Sequence, residues 1–283
     1  MISVVMTTYN GEDYIRKQLD SIMRQEIMPD EMVIVDDAST DNTVKILNEY
    51  KINYLDVKWV IIENAFNIGW KKNFAKAIKA ASGDYIFLSD QDDYWCSDKI
   101  RLMYDAMSNN DDIAVLAADY QTFKLTDFDP NIGLNEIYRG NGTVTKHKLT
   151  HNFYMVHYPG CNMAIRAEVK QWFDYSEWDG DLPHDEFIWC LAQLFGRAYV
   201  LNYKVLCYLR HIEAATAKKK RSRERQLELI KAKYMCVKKM ASIYNRTADD
   251  AEVSMLINKA EKFLMVRVRF LNKPSVNLFV KLC

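Results

Sequence analysis

The chain has 283 residues, 49% apolar and 12% aromatic, which suits one large folded unit with an appendage and excludes a disordered chain. Formal net charge is zero but unevenly spread: from Ile212 onward 17 Lys/Arg stand against 7 Asp/Glu, a net of +10, and residues 1–211 carry 21 basic and 31 acidic residues, a net of −10. Six cysteines at 96, 161, 190, 207, 236 and 283 form no CxxC pair, so no zinc spacing exists and reduced thiols of a cytosolic protein are expected.

The opening ISVVMTTYN is too short for a signal peptide, and no apolar run reaches a membrane span. Ile2–Met6 reads as a buried strand. A helix is predicted from Asn10, with Glu12 and Asp13 in its first turn and Ile15, Leu19, Ile22 and Met23 at helical spacing. Met32–Val35 is a second strand, ending in Asp36-Asp37. Ser39, Thr40 and Asp41 offer caps for a helix through Val44 and Leu47. Val57–Ile62 is a third strand. Trp70, Phe74, Ala77, Ile78 and Ala81 form the stripe of a third helix, and Tyr85–Leu88 is the fourth strand. Residues 119–158 read as irregular loops and short strands, and 159–165 as a turn entering a strand. An acidic loop, Trp178–Asp185, feeds a helix through Ile188 and Leu194. Ala198–Tyr208 is a strand region. From Ala214 onward the pattern is helical, including Leu227–Met240, with Leu264–Phe270 as the one strand-like exception.

The β-α-β-α-β-α-β order predicts an α/β fold, a mostly parallel sheet with helices on both faces and a helical C-terminal extension. In such sheets ligands collect where strands end. Those ends carry Thr7-Thr8-Tyr9-Asn10, Asp36-Asp37 and Asp90–Asp93. Carboxylates that converge repel each other unless a cation lies among them, and carboxylate oxygen favours Mg²⁺ or Mn²⁺. There is no GxGxxG after the first strand, no GxxxxGK[ST] and no GxSxG. What remains is a nucleotide-sized site with a carboxylate cluster at a sheet edge.

The segments VVMTTYNGEDYIRKQLDSI, VIVDDASTDNT, FNIGWKKNFAKAI and GDYIFLSDQDDYW resemble the inverting family 2 glycosyltransferases of the GT-A fold, and SDQDDYW is similar to the rhamnosyltransferase-like members. The resemblance covers about residues 1–211, the expected nucleotide-sugar-binding and catalytic domain, with 212–283 as the basic extension. It implies that Thr7, Tyr9 and Asp37 hold the base and ribose, with Asp36 beside them or serving instead as a helix cap in the turn. Asn67, Gly69 and Asn73 lie near the nucleotide, although Gly69 can simply permit a tight turn. On the same resemblance Asp92 is expected to bind Mn²⁺ or Mg²⁺ at the diphosphate. Asp90 contacts the ribose or sugar and shares the metal site, and Asp93 binds the donor sugar or caps the next helix. Gly160 and Cys161 match a loop under the donor sugar.

Inverting transfer also needs a base for the acceptor hydroxyl, separate from the metal cluster. Asp185, in PHDEF, matches that position, with Glu186 as the fallback and a helix-cap role for Asp185 as the alternative. His211 matches a position that reaches the metal or diphosphate. The segment departs from the family there, with Arg210 one residue late and no asparagine after it.

The donor expected from the resemblance is dTDP-L-rhamnose or a UDP-sugar, and the acceptor a lipid-linked glycan. The basic tail and the mixed run Phe263–Leu271 suit an anionic membrane surface or packing against the domain, and no nucleic-acid module is recognisable. Two other functions compete. A sugar-nucleotide pyrophosphorylase would want a Gly-, Arg- and Lys-bearing loop where Thr7–Gly11 stands. An inactive scaffold would be expected to lose acids that are present here.

Overall fold

The computed structural model describes residues 1–129, 138–173, 182–210, 222–248 and 250–272. Four strand-helix steps come first. β1 (Ile2–Thr8) leads to α1 (Ile15–Met23), β2 (Glu31–Asp36) to α2 (Thr43–Asn53), and β3 (Lys58–Glu63) to α3 (Trp70–Ala80). β4 (Tyr85–Ser89) leads through the short β5 (Tyr94–Trp95) to α4 (Lys99–Ser108). β6 (Val115–Lys124), β7 (Gly140–Lys146), β8 (Met163–Arg166), α5 (His184–Leu194) and β9 (Ala198–Arg210) follow. Two long helices, α6 (Arg223–Thr247) and α7 (Ala251–Asn272), come last.

The strands form one sheet in the order β3-β2-β1-β4-β8-β6-β9-β5, with β7 paired to β9. Pairing is parallel from β3 to β4, as the βαβ pattern requires. Beyond β4 the sheet is mixed: β8 runs antiparallel to β4 and β6, while β6 and β9 are parallel. The second half lacks the regular helical crossovers that enforce parallel pairing. Every residue of β1 and β2 is buried because both faces are covered. Val5, Val33 and Val35 face a core shared with α3 and α5, whereas Val4, Met6, Met32 and Ile34 face α1, α2 and α4. This alternation is the two-residue period of a strand acting on a two-sided core.

Three local expectations are revised. Asn10 has a left-handed backbone, φ 45°, so it cannot lie within a right-handed helix. Its side-chain oxygen instead accepts the Thr40 N–H at 2.9 Å, and α1 starts only at Ile15. Residues 115–124, partly assigned to loops, form the ten-residue β6, buried in its first half and partly exposed in its second. Leu264–Phe270 is helical, inside α7, because Ile257, Ala260 and Leu264 at helical spacing are buried in the core.

The C-terminal helices belong to that same core. Ile230, Cys236, Val237, Met240 and Tyr244 of α6 pack with the residues of α3 and α5. The boundary expected between residues 211 and 212 lies outside the described residues, as do His211 and most of the acidic loop before Leu182.

Candidate active site

The register of the parallel strands builds the site. Thr8 of β1 pairs with Asp36 of β2, and Met6 pairs with Ser89 of β4, so the three carboxyl ends lie side by side. A cavity of about 490 Å³ opens over them, within the usual size of a ligand pocket. It brings together Thr7, Tyr9, Asp37, Asn67, Gly69, Asn73, Asp90, Asp92, Gly160 and Asp185. These positions come from both halves of the chain, and the fold makes one wall of them.

Asp37 organises the second station. Its carboxylate accepts N–H groups from Ile68 at 2.8 Å and Gly69 at 2.9 Å, and the side-chain amide of Asn64 at 2.9 Å. Gly69 bends through φ 86°, a conformation glycine adopts at no steric cost, so its turn role is real. Asn73 is fully buried. It donates to the Val35 carbonyl at 2.6 Å and accepts from Asn64 at 2.8 Å, so its side chain ties α3 to β2 at the cavity lining.

Two acids stand behind the wall and not on it. Asp36 accepts the hydroxyls of Thr8 at 2.7 Å and Ser39 at 2.6 Å and the Ser39 N–H at 2.8 Å. It is 1% exposed, outside the cavity lining, and fixes the turn after β2, the second of the two roles expected of it. Asp93 is likewise 1% exposed and outside the lining, and accepts the Leu209 N–H at 3.1 Å. That bond anchors β9.

Asp90 and Asp92 place two neighbouring carboxyl groups on the wall. Burial, and then the charge of Asp92, push Asp90 up to about 7. Polar atoms of Asp90, Asp93 and Cys161 lie within 4.8 Å of one another. Burial, with the flanking carboxylates, pushes the Cys161 thiol well up, so it stays protonated and makes a poor ligand for a hard cation. Asp90 and Asp92, both on the cavity wall, are the pair whose oxygen donors fit Mn²⁺ or Mg²⁺.

Asp185 reaches the cavity from the first turn of α5, where the helix dipole favours an anion. Its Oδ1 accepts the Glu186 N–H at 2.9 Å. Burial nevertheless pushes its pKa up, which makes it a stronger base than an ordinary aspartate. Glu186 does not line the cavity, and its carboxylate lies 3.8 Å from the Lys233 ammonium. Gly160 is a matter of space: a Cβ there would stand 2.7 Å from His184 Nε2 and 3.1 Å from the Asp185 Cβ.

Sequence reasoning missed several participants. Gln91, between the two metal-type acids, clamps the backbone of Tyr9: its Oε1 accepts the Tyr9 N–H at 3.0 Å and its Nε2 donates to the Tyr9 carbonyl at 3.1 Å. Lys99 is fully buried, lies 3.9 Å over the Trp95 ring and donates to the Cys161 carbonyl at 2.6 Å. It supplies positive charge beneath the acids, and burial pulls it down to about 8. His184 and Trp70 also line the cavity. Only the Asp-Gln-Asp spelling could have drawn notice to Gln91; nothing local marks the others.

Residues 3–172 match the model of Glycosyl transferase family 2. The dTDP-rhamnosyl transferase RfbG of Shigella flexneri is 27% identical over 267 residues, 90% of this chain and 88% of that protein. The poly(ribitol-phosphate) beta-glucosyltransferase of Bacillus spizizenii is 40% identical over 114 residues, 38% of this chain and 17% of that protein. Among solved structures, S. aureus TarS 1-349 in complex with UDP-GlcNAc superposes with a TM-score of 0.66 at 18% identity, covering 99% of this chain and 78% of that one. The mannosyltransferase PcManGT from Pyrobaculum calidifontis, in complex with GDP-Man and Mn2+, superposes with a TM-score of 0.59 at 14% identity, covering 99% and 74%. The structural likeness bears on the fold, which is GT-A, while the family model spans more than half of the sequence: the chain belongs to glycosyl transferase family 2 and is a glycosyltransferase.

Proposed function

We propose that this protein transfers a sugar from a nucleoside-diphosphate donor to a hydroxyl of a saccharide acceptor, with inversion and with a divalent cation. The observation that carries the reading is one cavity lined by Asp90 and Asp92 at the sheet edge and by Asp185, a separate and partly buried acid from α5. Thr7, Tyr9 and Asp37 would receive the nucleoside. Asp90 and Asp92 would hold Mn²⁺ or Mg²⁺, which when bound supplies charge neutralisation for the leaving diphosphate. Asp185 takes the proton of the attacking hydroxyl as the new glycosidic bond forms and the bond to the diphosphate breaks. His211 lies outside the described residues, and its metal role stays part of the proposal.

The likeness to an enzyme named as a dTDP-rhamnosyl transferase supports dTDP-L-rhamnose as the first donor to test, with UDP-sugars next. A thermal-shift panel of nucleotide sugars with Mn²⁺ and Mg²⁺ separates them. The true donor at about 100 times its Kd adds roughly 2.7 kcal/mol to the native state. Failure of every nucleoside-diphosphate sugar to raise the melting temperature would overturn the reading.

We further propose that residues 1–211 perform the transfer, and that 212–283 is an extension whose outer face meets an anionic membrane carrying a lipid-linked acceptor. Peripheral attachment at the cytoplasmic face of the membrane would follow. No helix among the described residues is long and apolar enough to cross a membrane. The inner faces of α6 and α7 are packed, but Met235 and Met255 remain 63% and 61% exposed. Exposed lysines lie one turn away, Lys231 and Lys238 on α6 and Lys259 on α7, with Lys262 two turns from Met255. Vesicle sedimentation tests this. Binding to phosphatidylserine-containing vesicles is expected to weaken from 0.05 to 0.5 M salt, since screening shortens from about 10 Å at 0.1 M to about 3 Å at 1 M. Salt-independent binding, or none, would leave the tail as a packing element.

A further inference from the structure

The transfer proposed above needs an acceptor site that the strand-end stations do not supply. Thr7, Tyr9, Asp37, Asp90 and Asp92 are all placed by β1, β2 and β4, and together serve a nucleotide, its diphosphate and a cation. A base must lie within hydrogen-bond reach of the hydroxyl it deprotonates. The acceptor therefore enters on the Asp185 side, and among the described residues Trp70 presents a large, partly exposed aromatic surface there.

Trp70 is the first residue of α3, directly after the bend at Gly69. It lines the cavity and is 40% exposed. Its ring stands edge-on to His184, at 6.1 Å and 81°. His184 in turn stacks on Phe74, at 3.9 Å and 21°. The imidazole is 3% exposed, and neither ring nitrogen has a hydrogen-bond partner among the described residues. Burial pulls it down to about 3, so it is a neutral ring at any working pH. Gly160 closes the far side of His184, where a Cβ would come within 2.7 Å of Nε2. Phe74, His184 and Trp70 thus form a fixed aromatic row, and the next residue after His184 is Asp185. A ring resting on Trp70 is held in register with the base through this row, and such fixed geometry is what a displacement reaction rewards.

We propose that Trp70 is the stacking platform for the acceptor saccharide. A pyranose presents an apolar C–H face framed by hydroxyls. That face matches a rigid indole, and the hydroxyl rim is left free to meet Asp185. The Lys71 ammonium, 5.9 Å from the indole centroid, borders the platform with positive charge. This inference rests on the proposed transfer, and the test keeps the two apart.

The unsubstituted chain, Trp70→Ala and Trp70→Phe are compared by two measurements. The first is the melting-temperature rise caused by the nucleoside diphosphate with Mn²⁺. The second is saturation-transfer NMR of methyl α-L-rhamnopyranoside and methyl β-D-glucopyranoside added to that complex. The nucleotide-induced rise is expected to be the same in all three proteins. Saturation of at least one glycoside is expected on its ring C–H protons, to weaken by about tenfold in Trp70→Ala, on the scale of aromatic contacts, and to persist in Trp70→Phe. Equal saturation in Trp70→Ala overturns the platform, as does silence of both glycosides with the unsubstituted protein. Loss of the nucleotide-induced rise in Trp70→Ala moves the indole to the donor. Absence of that rise in the unsubstituted protein strikes the proposed function itself.

Discussion

Asp185→Asn is expected to lower sugar transfer by about 10²–10⁴-fold while leaving donor affinity unchanged, the usual contribution of a general base. Asparagine keeps the shape of the side chain, and its carbonyl oxygen can still accept the Glu186 N–H that Asp185 now accepts at 2.9 Å. The start of α5 therefore survives, and what is lost is the ability to take a proton. Glu186 is a poor substitute, since it lies off the cavity wall, 3.8 Å from Lys233. The pH profile gives an independent reading. A base works when deprotonated, so the rate rises with pH through the pKa of Asp185, which burial sets above the ordinary aspartate value. The part of that acid limb set by Asp185 should disappear in the asparagine variant, leaving the part set by Asp90. A rise in KM with kcat kept would instead make Asp185 a binding residue. The anomeric configuration of the product, read by NMR, should be inverted relative to the donor, because one displacement on one face leaves no other outcome. Retention would refute single displacement, and full activity of Asp185→Asn would move the base elsewhere.

The part of this site legible in the sequence is the part that local pattern dictates. Strands β1 to β4 are readable because each is a short run with an apolar centre, fully buried in β1 and β2, and the polar ends of β1, β2 and β4 converge once the pairing is parallel. Which acid of a run faces outward was not readable. Asp36 and Asp37 are neighbours, yet one is spent on Thr8 and Ser39 inside the turn and the other holds the loop at the cavity edge. Asp92 and Asp93 divide in the same way, because a turn after a strand has no fixed side-chain period. Gln91 owes its role to Tyr9, 82 positions earlier. His184 owes its neutrality to burial against Phe74, which no neighbour in sequence announces. Buried Lys99 runs against the usual exposure of lysine and makes sense only beside the acids it faces.

Asp92→Ala is expected to remove the cation-dependent part of diphosphate binding and leave the fold intact. Asp92 lines the cavity at the outer end of the β4 turn, and the folded core beneath it is held by other residues, Asp93 to Leu209 and Lys99 to Cys161. Its loss also changes its neighbour, because the charge of Asp92 helps to raise Asp90. The alanine variant therefore holds one carboxylate in place of two, and that carboxylate ionises more readily without a like charge beside it. Even residues that merely orient metal ligands cost about 10–100-fold in metal affinity when replaced, so loss of a direct ligand should cost at least about 100-fold. Calorimetry of nucleoside diphosphate binding supplies the measurement, with Mn²⁺ and again with EDTA. The unsubstituted protein should bind far more weakly in EDTA. Asp92→Ala in Mn²⁺ should match the unsubstituted protein in EDTA, and should respond little to the chelator itself. An unchanged affinity in Mn²⁺ would take the cation away from Asp92 and leave the negative wall of the cavity to be explained by the donor alone.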